Sequence, residues 1–411
     1  MQAEIISIGT ELLLGEIIDT NAAWIARQLT TIGLNLYFKA TVGDNQQRIA
    51  EILRNGLKRS DVIITTGGLG PTVDDVTREA VAAATDRDLV LDEALLAEVG
   101  AFFLKMGRTM TANNRKQACL PRDARVIHNP VGTAPAFAVE VQRPNALPGV
   151  IISLPGVPHE MQYLMEHEVL PWLRARYGLT GVIKSRIVHT CGIGESAIDA
   201  QIGDLMHLSN PTVGTAAHPG QTDVRIAAKA ESAAEAETLI APVERTLRER
   251  LGEYIYGVDG DTLAGVLCAL LAERGWTLAL ADGVSSGEIS LALSQGAAGR
   301  PVLAGALVAT GTAGVREALG LAGGGAADAQ TASDAARAVS ALYRADLGLA
   351  VVGPQDPAAA QGELIQIALA HRGGVALAEP RVPRADPSGR GWLLYGALDV
   401  VRRHLLGLHI M

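Results

Sequence analysis

The chain has 411 residues with 35 basic and 44 acidic side chains, so its formal net charge is −9. Such an acidic protein is a poor candidate for broad binding to nucleic acids or membrane surfaces, because nothing offsets its repulsion from phosphate groups. Apolar residues make up 48% and charged residues 19%, which is typical of a globular protein, and the length suits two or three domains. No apolar stretch approaches the roughly 18–20 residues of a transmembrane helix.

Short apolar strands alternate with helical patterns in the first part of the chain. In chain order, strand, helix, strand, helix and strand fall at residues 3–7, 21–31, 34–42, 44–59 and 61–66. Asn21 and Asp44 have side chains suited to cap the two helices. This order predicts an α/β fold, a parallel sheet with helices on both faces. In such folds the ligand crevice lies beyond the carboxyl ends of the strands.

Two further units follow. Strand-like residues 182–189 and 223–229 and a helix over 232–251 predict a small α+β unit of about 80 residues, an ordinary domain size. The last unit begins with an amphipathic helix from about Thr262, followed by a strand over 277–281 and a glycine- and serine-rich turn. We place the domain boundaries at 1–175, 176–258 and 259–411.

The strongest chemical signal is a glycine-rich turn between a strand and a helix, over residues 65–75. Gly67, Gly68 and Gly70 allow the backbone to approach a ligand closely, and N–H groups at the start of the next helix can face a phosphate. Asp74 and Asp75 are unfavourable beside a phosphate unless a divalent cation lies between them. The alternative is that the two acids complement the helix dipole and that Thr72 with Asp75 forms a capping box.

Four other segments border the same predicted crevice or offer polar groups. In residues 9–15, Glu11 could supply a further carboxylate, as could Asp19 beyond it, although both could be ordinary loop acids. Residues 113–117 offer amide and cationic groups suited to a sugar, base or phosphate, or they are a plain polar loop. Residues 129–135 and 154–160 are rigid loops with a few polar side chains.

The motifs that carry a family resemblance occur in order up to about Trp172 and continue into the middle unit: Ile8-Gly9-Thr10-Glu11-Leu12-Leu13, Val42-Gly43-Asp44, residues 66–75 with Thr77-Arg78-Glu79, Asn114 with Gln117, residues 129–135, residues 155–158 with Glu160, and Gly192-Ile193-Gly194-Glu195-Ser196. Together they resemble the CinA-type, or competence/damage-inducible, proteins. The resemblance implies a molybdopterin-binding-like first domain, a KH-like middle domain and a C-terminal α/β domain of the CinA type.

In this family the first domain is described as a divalent-metal-dependent ADP-ribose pyrophosphatase. The resemblance therefore implies hydrolysis of ADP-ribose or a related nucleotide with Mg, Mn, Co or Ni. We assign Asp74 and Asp75 as metal ligands and, with Glu11, as catalytic residues. The substrate-binding candidates are Gly67, Gly68, Gly70, Thr72, Asn114, Arg115, Lys116, Gly132, Thr133 and Gly156.

The middle domain suggests RNA only by analogy. A KH module grips a nucleic-acid backbone through a GxxG loop with basic neighbours. The nearest stretch here is Gly192-Ile193-Gly194-Glu195, which has a glutamate at the second glycine position and no adjacent basic cluster. We therefore favour packing or subunit contact for this domain, and we expect a homodimer, the commonest oligomer.

The last domain departs from the family pattern. The resemblance implies a nicotinamide-mononucleotide amidohydrolase with a serine nucleophile in the motif Glu-Ser-Cys-Thr-Gly-Gly, but this chain has Asp282-Gly283-Val284-Ser285-Ser286-Gly287. Gly283 has no side chain and cannot act as a nucleophile. No lysine follows Lys229, so no amine is available to activate Ser285 or Ser286. We expect the fold to persist without the deamidase activity.

Two other functions remain open. The first domain could bind molybdopterin or another pterin nucleotide, and the chain could act without catalysis through a protein partner in competence or DNA repair. Cys119, Cys191 and Cys268 are too far apart in sequence to suggest a disulfide framework or a metal knuckle. Because the first residues also lack the basic stretch of a secretory signal, we expect a cytoplasmic protein.

Overall fold

The computed structural model describes residues 1–143, 148–296, 301–322, 327–354, 365–378 and 387–410. Within these residues the chain separates into two compact units. Unit 1 comprises Met1–Lys184 with Lys229–Glu237, and unit 2 comprises Ser185–Ala228 with Thr238–Met411. In the described part of the chain, none of the helices combines the length and hydrophobicity that a bilayer crossing requires.

The first sheet lies in unit 1. Its strands are β1 (Gln2–Ile8), β2 (Asn35–Val42), β3 (Val62–Thr66), β6 (Arg125–Ile127), β7 (Ala136–Val141) and β8 (Gly149–Leu154), and a separate small sheet joins β4 (Leu89–Leu91) to β5 (Cys119–Pro121). The strand order β2-β1-β3-β8-β7-β6 is parallel through β8 and antiparallel beyond it. The predicted α/β fold class is confirmed, and one side of the sheet also has two antiparallel pairings, β8 with β7 and β7 with β6, that the sequence pattern did not predict.

Helices cover both faces of this sheet. They are α1 (Thr10–Leu13), α2 (Thr20–Thr30), α3 (Gln46–Leu57), α4 (Thr77–Ala84), α5 (Glu93–Lys105), α6 (Pro158–Leu164) and α7 (Leu170–Tyr177), with a 3₁₀ helix at Ala112–Ala118 and a π-helical turn at Met165–Val169. Neighbouring strand residues point to opposite faces. Ile5 and Ile64 therefore pack in one core with α2, α6 and α7, whereas Ile6 and Ile63 pack in the other with α3 and α4.

The predicted helix caps are wrong by one or two positions. Asp19, rather than Asn21, caps α2 by accepting a hydrogen bond of 2.9 Å from the Ala22 N–H. Asn45, rather than Asp44, caps α3. Asp44 cannot serve α3 because its carboxylate accepts hydrogen bonds from both the N–H and the hydroxyl of Thr10, each at 2.8 Å.

The middle part of the chain has a four-stranded sheet in the order β10-β11-β9-β12, with antiparallel pairing of β10 with β11 and of β9 with β12. Its strands are β9 (Val182–Cys191), β10 (Thr212–His218), β11 (Gln221–Ala230) and β12 (Ile255–Val258). The helices are α8 (Glu195–Ile202) and α9 (Ala233–Leu251). This agrees with the predicted small α+β unit.

The last part of the chain forms a sheet in the order β14-β13-β15-β16-β17, parallel through β15 and antiparallel beyond it. Its elements are α10 (Leu263–Arg274), β13 (Leu278–Asp282), α11 (Glu288–Gly296), β14 (Leu303–Val308), α12 (Gly311–Leu319), α13 (Ala329–Tyr343), β15 (Leu347–Val352), β16 (Gln366–His371), β17 (Gly374–Ala378) and α14 (Pro387–Leu406). Leu280 and Leu349 face a core with α10, α11 and α14, whereas Ala281 and Ala350 face α13. The small residues let α13 approach the sheet closely.

Candidate functional site

The loops that follow β1, β3 and β8 meet at the carboxyl edge of the first sheet. A Cβ atom on Gly67 would lie 2.1 Å from the Ile8 carbonyl oxygen, and one on Gly156 would lie 3.3 Å from the Gly67 Cα. The Asn21 side-chain amide donates to the Gly156 carbonyl at 2.8 Å and to the Thr66 hydroxyl at 3.2 Å. The structure therefore brings together the three segments that the sequence placed at this edge.

The glycine turn after β3 has a backbone that only glycine adopts easily. Gly67 and Gly68 have φ angles of 108° and 66°, in the region that L side chains disfavour. The Thr77 hydroxyl donates to the Gly67 carbonyl at 2.8 Å, and a Cβ on Gly68 would lie 2.3 Å from that hydroxyl oxygen. The turn is thus packed tightly against the start of α4.

The N–H groups of the turn differ in their availability. Gly67 N–H donates to the Leu154 carbonyl at 3.1 Å, so it is engaged within the sheet. Among the described residues, no protein acceptor is bonded to the N–H groups of Gly68 and Gly70. A ligand phosphate at this turn therefore has two open backbone donors rather than three.

Asp74 and Asp75 meet at one hydroxyl group. The Thr72 hydroxyl is within hydrogen-bond distance of Asp74 Oδ1 and Asp75 Oδ2, and the Thr72 N–H donates to Asp75 Oδ2 at 2.8 Å. Because α4 begins only at Thr77, with Val76 as its N-cap, this turn is not the helix cap that the alternative interpretation described. The hydrogen bond from Thr72, helped by Asp74's own N–H and by Lys116, holds the pKa of Asp74 below its usual range.

The 3₁₀ helix Ala112–Ala118 brings a cation to the same loop. Lys116 Nζ donates to the Thr72 carbonyl at 3.2 Å and forms an ion pair of 3.3 Å with Glu79. Arg115 instead pairs with Glu93 at 3.7 Å. Lys116 is therefore the candidate cation that the structure holds beside the aspartate pair.

Asn114 is a structural residue of that 3₁₀ helix. Its carbonyl oxygen accepts from the Thr111 N–H at 3.0 Å and from the Thr111 hydroxyl, and its amide group donates to Gln117 at 2.9 Å. Gln117 in turn donates to the Thr133 hydroxyl at 3.2 Å. Asn114 thus uses its polar groups within the 3₁₀ segment, and Gln117 joins that segment to the loop of Thr133. The substrate contact expected of Asn114 stays a prediction.

Gly132 lies against Glu160, at the start of α6. A Cβ on Gly132 would lie 2.0 Å from the Glu160 Cδ. The Asn129 amide donates to Glu160 Oε2 at 2.6 Å and to the Ala134 carbonyl at 2.9 Å. Burial raises the pKa of Glu160, and the Asn129 hydrogen bond offsets part of that effect. Neither Asn129 nor Glu160 was assigned a role from the sequence, although both lie in its family motifs.

Glu11 lies in α1, the short helix after β1, and is folded back toward Gly9: a Cβ on Gly9 would lie 2.5 Å from Glu11 Oε1. Asp19 accepts from the Ser7 hydroxyl at 2.6 Å in addition to capping α2. In the part of the chain that the structure describes, no three His, Cys, Asp or Glu side chains form a metal-binding group. The candidate cation site therefore consists of two protein carboxylates.

A buried arginine lies directly behind the glycine turn. Arg78 is 0% exposed, and its Nη2 donates to the Leu69 carbonyl at 2.8 Å. Within the described residues, its Nε and Nη1 have no hydrogen-bond partner. Burial lowers the pKa of Arg78 to about 10, against the attraction of Glu79 and Asp75. The sequence motifs include Arg78 but assign it no role, because its unusual state follows from burial.

In unit 2, a buried acid holds the turn at residues 282–287, where the resemblance implied a serine motif. Asp282 accepts from the N–H groups of Val284 at 3.0 Å and Ser285 at 2.7 Å, and from the Ser285 hydroxyl. A Cβ on Gly283 would lie 2.9 Å from the Gly311 carbonyl oxygen. Ser285 thus stabilises the turn, and Gly283 leaves little room for a side chain.

Three family models match the chain. They are described as a probable molybdopterin binding domain at residues 4–175, the KH domain of damage-inducible protein CinA at 185–257, and the CinA C-terminal domain at 260–403. A putative competence-damage inducible protein of Caldanaerobacter subterraneus subsp. tengcongensis is 36% identical over 420 residues, which cover 100% of both chains. The chain belongs to the CinA-like protein family.

Further similar proteins include a second curated relative and a solved structure. A putative competence-damage inducible protein of Halothermothrix orenii is 40% identical to this CinA-like chain over 362 residues, 87% of this chain and 86% of the relative. The crystal structure of a CinA protein of unknown function from Thermoplasma acidophilum is 36% identical and covers 41% of this chain and 96% of its own, with a TM-score of 0.37. The resemblance found in the sequence motifs is confirmed.

Proposed function

We propose that unit 1 of this CinA-like protein hydrolyses the diphosphate of ADP-ribose, or of a related nucleotide, with the help of a divalent cation. The observation that carries the proposal is the meeting of Asp74 and Asp75 at the Thr72 hydroxyl, beside a glycine turn with two open N–H groups. A cation that joins the two carboxylates to a phosphate would reconcile their charge with a ligand phosphate on the adjacent glycine turn.

The residues present fit such a cation. Mg²⁺ is commonly held by one or two carboxylates and completed by water and substrate phosphate oxygens, so a pair of aspartates is sufficient. Oxygen ligands also suit Mn²⁺, whereas Co and Ni remain open. A bound cation would polarise a phosphoryl oxygen and acidify a water molecule.

The side chains of this chain have definable tasks in the proposed reaction. The N–H groups of Gly68 and Gly70 donate to phosphate oxygens. Lys116, held by the Thr72 carbonyl, offsets the charge of the diphosphate. Thr72 lowers the pKa of Asp74 and orients both carboxylates. Glu11 and Arg115 have weaker support, because no contact in the described residues joins either side chain to the aspartate pair.

The test is the turnover of ADP-ribose by the full chain with and without EDTA. Asp74→Asn and Asp75→Asn should each lower kcat/KM by more than about tenfold, since each removes a charged ligand while keeping the shape. Asp88→Asn is the matched control, because Asp88 is an exposed acid of the same unit that pairs with Arg122. Activity that survives chelation, or full turnover by both variants, contradicts the proposal.

A second candidate is binding of a pterin nucleotide without hydrolysis. It is favoured by the match of residues 4–175 to a probable molybdopterin binding domain. A pterin bound at micromolar strength, with no ADP-ribose turnover, would establish this alternative.

We also propose that the C-terminal domain has lost nicotinamide-mononucleotide deamidase activity, because Gly283 stands at the serine position and no lysine follows Lys229. A domain that remains after losing its chemistry can serve protein contacts, and the relatives are named as competence-damage inducible proteins. Ammonia release from nicotinamide mononucleotide by the purified chain would overturn the proposed loss. A pull-down that recovers no partner, alongside rapid ADP-ribose hydrolysis, would argue against a role through protein partners.

A further inference from the structure

Three consecutive carbonyl groups of the glycine turn accept hydrogen bonds from the first two residues of α4. The Thr77 hydroxyl donates to the Gly67 carbonyl at 2.8 Å, and the Thr77 N–H donates to the Gly68 carbonyl at 3.2 Å. Arg78 Nη2 donates to the Leu69 carbonyl at 2.8 Å. Thr77 and Arg78 are both 0% exposed, so these hydrogen bonds are shielded from water. The start of α4 therefore fixes one side of three successive peptide groups.

These hydrogen bonds also decide where the N–H groups of the turn point. The peptide bonds that join residues 67–70 are trans, and in a trans peptide group the C=O and the N–H point in opposite directions. The carbonyl of Gly67 shares its peptide group with the N–H of Gly68, and the carbonyl of Leu69 shares its peptide group with the N–H of Gly70. Both glycine N–H groups therefore face away from α4, and so does the Leu69 N–H between them. Successive N–H groups that face the same way form an anion-binding concavity.

Arg78 also places a positive charge behind this turn. Burial lowers its pKa to about 10, against the attraction of Glu79 and Asp75, so the guanidinium stays charged at neutral pH. Among the described residues, its Nε and Nη1 donate to no acceptor. A buried charge with unsatisfied donors costs free energy, and an anion on the other side of the turn would offset part of that cost by electrostatic attraction.

We propose that Thr77 and Arg78 are positioning residues for the phosphate of the ligand. By holding the carbonyls of Gly67 and Leu69 toward α4, they orient the N–H groups of Gly68 and Gly70 toward the phosphate oxygens. Neither Thr77 nor Arg78 touches the phosphate. The inference rests on the proposed function, because that function supplies the diphosphate, and it adds the side chains that shape the turn for an anion.

The first test follows the backbone amide signals of Gly68 and Gly70 by NMR while inorganic pyrophosphate is added to the full chain, once in EDTA and once with Mg²⁺. Both signals should shift in the wild type. Thr77→Val, which keeps the shape without the hydroxyl, and Arg78→Met should each weaken pyrophosphate binding about tenfold or more, because each frees one peptide group to turn. Thr77→Ser and Arg78→Lys keep a donor and should recover at least part of the affinity.

Two substitutions in the same unit serve as matched controls. Thr85→Val removes a hydroxyl that donates to the Val81 carbonyl at 2.8 Å, at the other end of α4. Arg122→Met removes an exposed arginine. Both proteins should bind pyrophosphate as the wild type does. If Thr77→Val fails to fold, Arg78→Met carries the test.

The kinetics of ADP-ribose hydrolysis separate positioning from structural damage. N–H groups that bind phosphate oxygens contribute to the ground state and the transition state alike, so Thr77→Val should raise KM about tenfold and leave kcat within about threefold of the wild type. A loss of folded protein would instead lower the apparent kcat at an unchanged KM.

The outcomes distinguish this inference from the proposed function. If the amide signals respond and the variants lose affinity, but even the wild type does not hydrolyse ADP-ribose, the positioning assignment holds and the hydrolase proposal fails. If ADP-ribose is hydrolysed only with a divalent cation, yet Thr77→Val and Arg78→Met match the wild type in KM and in pyrophosphate affinity, the positioning assignment alone fails. Wild-type Gly68 and Gly70 signals that do not respond to pyrophosphate, with or without Mg²⁺, also overturn it.

Discussion

Gly132 lies so close to the carboxyl group of Glu160 that a Cβ on the glycine would be 2.0 Å from the Glu160 Cδ. The loop before β7 therefore packs tightly against the first turn of α6. Asn129 adds a hydrogen bond between the same two segments, because its side-chain amide donates to the Glu160 carboxyl group at 2.6 Å. The loop before β7 and the start of α6 are thus held together at the carboxyl edge of the sheet.

Gly132→Ala should therefore displace the Glu160 side chain and break its hydrogen bond with Asn129. We expect a loss of about 1.5–3 kcal/mol in the free energy of unfolding, the usual contribution of a hydrogen bond to a charged group, measured by urea denaturation. Gly100→Ala is the control, because a Cβ there meets nothing within 4 Å and alanine favours a helix interior. A Gly132→Ala protein as stable as Gly100→Ala would contradict the contact.

Glu160 should also make stability depend on pH. Burial raises its pKa above the ordinary value, so the folded state binds a proton more tightly than the unfolded state does. The stability that this proton provides is present below the ordinary pKa and is lost as the pH rises through the raised value. The difference in unfolding free energy between the wild type and Glu160→Gln should therefore shift against the wild type as the pH rises through this window. An unchanged difference across this range would show that Glu160 has an ordinary pKa.

Thr72→Ala should raise the pKa of Asp74. The hydrogen bond from Thr72 stabilises the ionised carboxylate and is the largest cause of its lowered pKa, so its loss makes the carboxylate easier to protonate. In the pH profile of ADP-ribose hydrolysis, the fall in rate on the acidic side should move to higher pH. NMR of the Asp74 carboxyl carbon should show the raised pKa without any substrate. Thr72→Ser keeps the hydroxyl and should retain the low pKa. An Asp74 titration that is identical in all three proteins would contradict this prediction.

The sequence predicted the sheet more completely than the site. Apolar runs such as β1, β3 and β8 are buried on both faces, so their pattern alone indicates central parallel strands. The helix N-caps were misassigned because Asp and Asn residues that lie close together in sequence can cap a helix equally well. A tertiary contact decides which of them does so: Asp44 accepts hydrogen bonds from Thr10 and is therefore not the cap of α3.

The same limit applies to the candidate site. The meeting of the glycine turn with the other loops was predictable, since parallel strands end at one edge. The tasks of individual residues were not: Asn114 is engaged within its own 3₁₀ helix, and Glu160 and Arg78 acquire unusual pKa values only through burial. Burial depends on how distant segments pack, which spacing along the chain does not encode.

Arg78→Met should be tolerated better than Arg78→Ala. A pKa lowered from 12.5 to about 10 corresponds to a cost of about 3 kcal/mol for keeping the charged form in this enclosed position. Methionine removes this cost of burying a charge and fills most of the space. These gains offset the loss of the hydrogen bond to the Leu69 carbonyl. Alanine instead leaves a cavity that lowers the free energy of unfolding by about 2–4 kcal/mol. Urea denaturation should place Arg78→Met within about 1 kcal/mol of the wild type.

The exposed Arg122, which pairs with Asp88, provides the control substitution for Arg78. Arg122→Met should leave stability nearly unchanged, as expected for a surface ion pair. Equal destabilisation by Arg78→Met and Arg78→Ala would contradict this prediction. It would mean that the electrostatic attraction of Arg78 to Asp75 and Glu79 is larger than the free-energy cost of burying its charge.

Gly283→Ser should not restore deamidase activity. A Cβ at this position would lie 2.9 Å from the Gly311 carbonyl oxygen and 3.0 Å from Val315 Cγ2, so a serine forces the backbone of the turn to move. No lysine follows Lys229 to activate the hydroxyl. We expect no ammonia release from nicotinamide mononucleotide and a loss of about 1–3 kcal/mol in unfolding free energy, as for other overpacked positions.

Gly260→Ser, where a Cβ meets nothing within 4 Å, should keep wild-type stability. If the Gly283→Ser protein releases ammonia, the turn has retained the rest of a catalytic site, and the glycine alone accounts for the lost activity.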